Sequence, residues 1–368
     1  MNGKFVEPSR AARASDSAAE NQNSPPVTYF NNLSDSYLSA AASAGGQVEY
    51  FLSVAGYTIK LCFAGPALVR HITRALEHLA SDSVTRTDLT VCLWDSASTS
   101  VKMLPPEWGP GDIAARGEIK GYNTARIHTA YHLGADTLNM LDADRNLALF
   151  WTRDAGRIPY YEKGAPLRTI LNWWACGHRL QLVHAAAVGT TDGGVLIAGR
   201  GGSGKSTIAL TCINSGLIYA GDDYVVIENG PRPHAFSLYS TGKADTEHLK
   251  DKLPAMFSCV SNAGEAETEK GLIFLNEHYP DRIAKGFPIK AILLPHIAGR
   301  ETRLQKASPA EVLTALAPST LFQLAGADHE VFRRLSELVR QVPGYIMEIG
   351  AELNRIPEMV SGLISRKQ

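Results

Sequence analysis

No run of this 368-residue chain approaches the roughly 20 consecutive apolar residues that a membrane helix needs, so no membrane span is expected. Cysteine is scarce. Cys62, Cys92, Cys176, Cys212 and Cys259 are odd in number, far apart along the chain and never at CxxC or zinc-ligand spacing. Reduced, mostly buried thiols are therefore expected, not a disulfide framework or a zinc site. An excess of either charge is also missing: 36 Lys and Arg face 37 Asp and Glu, a net charge of −1. With no dense basic run either, nothing calls for a nucleic-acid or anionic-membrane partner. Arg10 and Arg13 have no apolar segment behind them, and Asp16 and Glu20 follow. That is not a secretory signal, and a cytoplasmic location is expected. Rival catalytic signatures are absent too: no G-x-S-x-G, no H-E-x-x-H, and no H-R-D with D-F-G.

What remains is an ordinary globular composition on a chain long enough for two cores. Residues 1–26 are Ser/Ala/Asn/Glu-rich and nearly free of large apolar side chains, which predicts a disordered tail. Alternation over 48–54 and 57–63 around Gly56 predicts a hairpin, 68–79 has helical spacing, and 89–94 and 147–152 read as strands. A helix over 167–180 carries Trp173 and Trp174. These elements predict a small α+β domain over 45–175.

From about residue 181 the pattern changes. Short apolar runs at 183–188, 195–198, 217–220 and 224–228 predict strands, and a helix over 205–215 lies between the second and third. Strand, glycine loop, helix, strand is an α/β unit. Further strands are expected at 272–275, 291–294 and 345–349, and helices at 309–316, 331–342 and 356–364. The second domain is thus expected to span 181–368.

Gly199-Arg200-Gly201-Gly202-Ser203-Gly204-Lys205-Ser206 fits G-x-x-x-x-G-K-[ST], the phosphate-binding loop. Its glycines let backbone N–H groups turn inward where a side chain would block approach. The helix that follows aims its positive end at the phosphates. The Lys205 ammonium reaches β and γ oxygens, and the Ser206 hydroxyl is a ligand for Mg²⁺. Gly199, Gly201, Gly202, Ser203, Gly204, Lys205, Ser206 and Thr207 are therefore the expected nucleotide contacts, with ATP and Mg²⁺ as the cofactors.

Asp222-Asp223 follows one helix downstream, after the run 217–220. If that strand runs parallel to the loop's strand, both ends lie on one sheet edge. One carboxylate there would hold the metal, and the other would accept a proton from an attacking hydroxyl. Gly-Asp-Asp is also good turn chemistry, which is compatible with either role.

Residues 181–227 resemble the catalytic domain of the HPr kinase/phosphorylase family. The resemblance rests on His184-Ala185-Ala186-Ala187-Val188, the loop through Lys205, and Gly221-Asp222-Asp223. Phosphoenolpyruvate carboxykinases share the same close succession of loop, helix and paired aspartates. The resemblance implies an α/β fold of the HPr kinase/phosphoenolpyruvate carboxykinase type, preceded by the small α+β domain. It implies catalytic roles for Lys205, Asp222, Asp223 and His184, and metal at Ser206 and Asp223. Glu269-Lys270-Gly271-Leu272 is faintly similar to a Glu-x-Arg-Gly-Leu segment that supplies a catalytic arginine, with Lys in the place of Arg and no residue between Glu and Lys. The loop is followed by Ser-Thr and not Ser-Glu, and the N-terminal half does not resemble that of the phosphotransferase-system enzymes. The layout is closer to stand-alone HPr-kinase-related serine kinases.

The expected function is transfer of the ATP γ-phosphate to a hydroxyl of a peptide, protein or small molecule. The alternatives are a non-catalytic ATP-sensing module and a carboxykinase-type enzyme. Arg153, Arg157, Arg168, Lys243 and Arg282 are further cations that could meet phosphate or form ion pairs. Trp151, Trp173, Trp174, Tyr160 and Tyr161 could pack an interface or carry the acceptor. The amphipathic C-terminal helices leave a homo-oligomer possible.

Overall fold

The computed structural model describes residues 24–82, 86–264, 270–297, 299, 301–326 and 329–366. The tail expected over 1–26 falls, up to residue 23, outside the described residues. A helix begins at its end. Helix α1 (Pro25–Ser43) takes Pro25 at its first position, and Val27, Phe30, Leu33, Tyr37 and Ala41 form one buried stripe at helical spacing. That stripe packs on Cys62, Ala64, Cys92 and Trp94 of the sheet below.

The expected hairpin forms as β1 (Gln47–Val54) and β2 (Tyr57–Ala64), closed by Ala55 and Gly56, both at positive φ (50° and 83°). The helix expected over 68–79 is broken. Only α2 (Val69–Thr73) and a 3-10 turn (Glu77–Leu79) form, because the Ala75 carbonyl is taken by the Ser240 N–H and hydroxyl at 2.9 and 3.1 Å. β3 (Leu89–Asp95) lies parallel to β2, which sets Cys62 opposite Cys92. Two strands went unread in the sequence, β4 (Ile127–His132) and β5 (Thr137–Asp142), and they make a second hairpin. With β6 (Leu147–Thr152) the sheet runs β1-β2-β3-β6-β5-β4.

Helices α3 (Tyr160–Gly164) and α4 (Arg168–Cys176) lead into a second sheet. Trp173 and Trp174 of α4 are buried in a cluster that runs from Phe63 and Leu93 of the first sheet to Leu182 and Val226 of the second. Aromatic bulk there fills the space between the sheets.

The single strand expected over 183–188 is two, β7 (Leu180–Val183) and β8 (Ala185–Thr190), broken at His184. Then follow β9 (Gly193–Ala198), α5 (Lys205–Asn214), β10 (Ile218–Gly221), β11 (Val225–Glu228), β12 (His234–Phe236) and β13 (Thr241–Ala244). Next come α6 (Thr246–Lys252), β14 (Gly271–Phe274), β15 (Gly286–Ile297), β16 (Arg303–Ala307), α7 (Pro309–Gln323), α8 (His329–Gln341), β17 (Gly344–Ile349) and α9 (Arg355–Ile364). The large sheet runs β10-β8-β9-β15-β12-β11-β7, with β17 beside β15 and β16 beside β17. β13 and β14 pair separately. The class is mixed α/β with several sheets. β9 is buried on both faces because α5 and α9 cover one side and α7 and α8 the other, so its run Val195-Leu196-Ile197-Ala198 does not alternate. At Gly194 a Cβ would sit 2.2 Å from the Phe287 ring, so only glycine fits under it.

Among the described residues no helix is long and apolar enough to cross a membrane. Because α1 supplies one wall of its cluster, Phe30→Ala is expected to cost about 3–5 kcal/mol through lost burial and the cavity left behind. A lower denaturant midpoint at unchanged slope would show it.

Candidate functional site

Strand directions bring the site together. β8 runs antiparallel to β9 with Ala185 opposite Ala198, so His184 stands beside the start of the loop that follows β9. β10 runs antiparallel to β8 with Gly221 opposite Ala187. β9 and β10 therefore point the same way with β8 between them. Their carboxyl ends, the glycine loop and Asp222-Asp223, share one sheet edge with His184, as the direction expected from the sequence requires.

The loop's conformation is one that glycine alone accepts at two places. A Cβ on Gly199 would meet Ser203 Oγ at 2.6 Å, and Gly204 has φ +104° with Ile349 Cδ1 3.0 Å from where its Cβ would be. The first-turn amides of α5 have no partner within the helix, so they face the loop's concavity with the positive end of the helix dipole. The Lys205 ammonium folds over the loop, donating to the carbonyls of Gly199 (2.8 Å) and Arg200 (3.2 Å). Its burial lowers its pKa, and the Asp222 and Asp223 carboxylates oppose that.

The two aspartates sit in different surroundings. Asp223 is the centre of a three-residue turn closed by the Tyr224 N–H on the Asp222 carbonyl (2.8 Å), with φ +63°. Such a backbone is costly for a residue with a side chain and is kept where surrounding contacts fix it. Here the contact is Lys243, whose Nζ lies 2.6 Å from Asp223 Oδ2, and His184 Nε2 is 3.8 Å from Oδ1. Burial works against ionising Asp223, but Lys243 and His184 overcome it and hold the carboxyl well below the usual range. His184 itself is buried, and burial lowers its pKa although Asp223 pulls the other way.

Asp222 lies behind this, 2% exposed, with Oδ1 accepting the Asp223 N–H (2.9 Å) and Oδ2 without a hydrogen-bond partner among the described residues. Burial first, then the Asp223 charge, pushes its pKa up to about 6, against the pull of the nearby Ser206 hydroxyl and Lys205. The native state thus holds a proton on Asp222 that the unfolded chain releases near the ordinary value of 3.8. A folded pKa above the unfolded one contributes stability below the lower value and loses it as pH rises through the higher. Asp222→Asn, which stays neutral, is expected to gain stability relative to the parent chain between about pH 4 and 6 and to hold that gain above it. Denaturation midpoints of both proteins across that range measure it.

His184, Gly201, Gly202, Gly204, Lys205, Ser206, Thr207 and Asp223 line one pocket of about 430 Å³. Lys243, Asp245, His248, Lys270 and Gln323 complete its walls. His248 Nε2 is 3.1 Å from Thr207 Oγ1. Gly199 and Ser203 face the other side of the loop, a hollow of about 900 Å³ between residues 294–297 and α7. Arg153 pairs instead with Asp136, and Arg282 caps α5 through the Ile213 carbonyl at 2.5 Å. Arg157 opens onto a different hollow. Glu269 lies outside the described residues, while Lys270 reaches the site. Asp245, His248 and Gln323 went unread; the start of α6 carries only a capping signal, Asp245 accepting the His248 N–H at 3.0 Å.

The donor set fits a magnesium polyphosphate. The Ser206 hydroxyl and the unpartnered Asp222 Oδ2 are hard oxygen ligands, and the amides and lysines around them suit phosphate oxygens. Among the described residues no group of three or more His, Cys, Asp or Glu side chains is arranged to hold a metal unaided. A Mg²⁺ that shares phosphate ligands does not need one.

No family model and no curated protein matches this chain. Among solved structures, the HPr(Ser) kinase/phosphatase from Coxiella burnetii matches over 50% of this chain and 93% of its own, at 12% identity and a TM-score of 0.29. At that score no residue of one chain is placed on the other, and the mixed α/β class rests on the strand pairings of this chain itself.

Proposed function

We propose that the chain is an ATP-dependent phosphotransferase of the HPr-kinase-like type, acting on a hydroxyl of a peptide, protein or small molecule. One observation carries this reading: the glycine loop, Lys205 and the Lys243-bound Asp223 carboxylate open onto the same 430 Å³ pocket. When bound, Mg-ATP supplies an electrophilic γ-phosphorus and a cation that neutralises its oxygens.

The chain's own groups divide the remaining work. Residues 199–207 grip the polyphosphate through backbone N–H groups and the Lys205 ammonium. Ser206 and Asp222 are the proposed metal ligands, with Asp222 in the metal position that the resemblance gives to Asp223. Asp222 is beside Ser206 and has an oxygen without a partner among the described residues, whereas Asp223 is already paired with Lys243. Asp223 faces the pocket as an anion, so it orients the acceptor hydroxyl and accepts its proton. Lys270, on the rim, offsets charge that builds on the transferring oxygens, as a point charge and not a fork. His184, 3.8 Å from Asp223 Oδ1, flanks that carboxylate from the buried side.

The experiment is incubation with γ-labelled ATP, Mg²⁺ and a panel of serine peptides and small alcohols. Label is expected on an acceptor with the parent chain and not with Asp223→Asn. Tight nucleotide binding without label on any acceptor would favour a sensing module instead.

A further inference from the structure

A second pocket, of about 310 Å³, lies between the β4–β5 turn, residues 113–117 and the start of α4, outside the nucleotide site. Its wall contains Glu162 and Arg168 side by side. Glu162 is 8% exposed, and among the described residues its carboxylate accepts no hydrogen bond. Its ion-pair partner, Arg168 Nη2, stands 3.9 Å away, beyond hydrogen-bond reach. Among the described residues the Arg168 guanidinium, with five donors, makes one side-chain hydrogen bond, to the Tyr224 hydroxyl at 3.2 Å.

Two opposite charges have thus been taken largely out of water without the close, bidentate contact that would repay their desolvation. A ligand that brings its own carboxylate to the guanidinium and its own ammonium to the carboxylate would supply what each lacks. Tyr131 and Tyr161 line the same pocket, and aromatic faces favour an ammonium. The volume matches the lower end of small-molecule sites.

We infer that this pocket binds a zwitterionic α-amino acid, its carboxylate on Arg168 and its ammonium on Glu162. The inference goes beyond the phosphotransferase reading and does not depend on it. Glu162 takes a buried carboxylate's raised pKa from desolvation, opposed by Arg168 and Lys243, so a bound ammonium would favour its ionised form.

The test is calorimetry on the full chain without nucleotide, using the standard amino acids one at a time. At least one is expected to bind. Its amide and its decarboxylated amine should bind at least about tenfold more weakly, because each lacks the carboxylate that Arg168 would hold. Glu162→Gln, an isosteric change, should weaken the amino acid by about the same factor while the thermal midpoint is kept. No binding of any amino acid, equal binding of the amine, or unchanged affinity in Glu162→Gln would each overturn the inference. The analogue series runs on the parent chain, so the outcome stands even if a variant folds poorly. Because no nucleotide is present, its failure is distinguishable from failure of the phosphotransferase reading.

Discussion

Lys205→Ala is expected to abolish measurable phosphoryl transfer and to weaken triphosphate binding by about a hundredfold or more. Hydrogen bonds to charged groups contribute about 1.5–3 kcal/mol each, and the ammonium can donate two or three of them to phosphate oxygens. Part of that gain is offset, because the same Nζ gives up bonds to the Gly199 and Arg200 carbonyls when it turns to a ligand. A net of about 3 kcal/mol is a factor of roughly 10² in affinity. Transfer suffers further, since charge that develops on the oxygens loses its nearest fixed cation. Titration calorimetry reads the first effect and γ-label transfer the second. Full activity in Lys205→Ala would contradict the assignment.

Asp223→Asn should cut transfer by roughly 10²–10⁴ while nucleotide affinity changes only a few-fold, because the carboxylate is proposed to act on the acceptor's proton. It also leaves Lys243, a largely buried ammonium, without its partner at 2.6 Å. Breaking a buried pair from one side costs about 3–5 kcal/mol, and the one-quarter exposure of Asp223 puts the expectation at the low end. The reciprocal change separates catalysis from folding. In Lys243→Met the Asp223 carboxyl loses the cation that holds it low, so its pKa rises. Transfer requires the anion, so the acid limb of the pH–rate profile should move to higher pH than in the parent chain. A merely structural lysine would lower the plateau without moving that limb.

The half of the pocket built by the glycine loop and the paired aspartates could be placed from the chain because its residues stand at local spacing. Loop, helix and Gly221-Asp222-Asp223 lie within one strand-loop-helix-strand unit, and strand direction alone sets them on one edge. The opposite wall could not be read that way. Lys243 and Lys270 arrive on β13 and beside β14, whose pairing of Lys243 with Leu272 is a long-range contact that no local period encodes. The break of β7 from β8 at His184 escaped for the same reason. Residues 182–188 are apolar on both sides of it, and only the change of partner from β11 to β9 divides the run. Helix α1 was different. Its stripe of Val27, Phe30, Leu33, Tyr37 and Ala41 is plain in the sequence, but two prolines and the polar stretch before it look like the end of a tail. Proline at a first helical turn costs nothing, and that is where both stand.

The most direct test of the polyphosphate grip is calorimetry of the parent chain, with Mg²⁺, against adenosine and its mono-, di- and triphosphate. Backbone amides and Lys205 predict affinity that climbs with each added phosphate and collapses for the triphosphate in Lys205→Ala. Adenosine binding as tightly as ATP, or no heat from any of the four, would contradict the account.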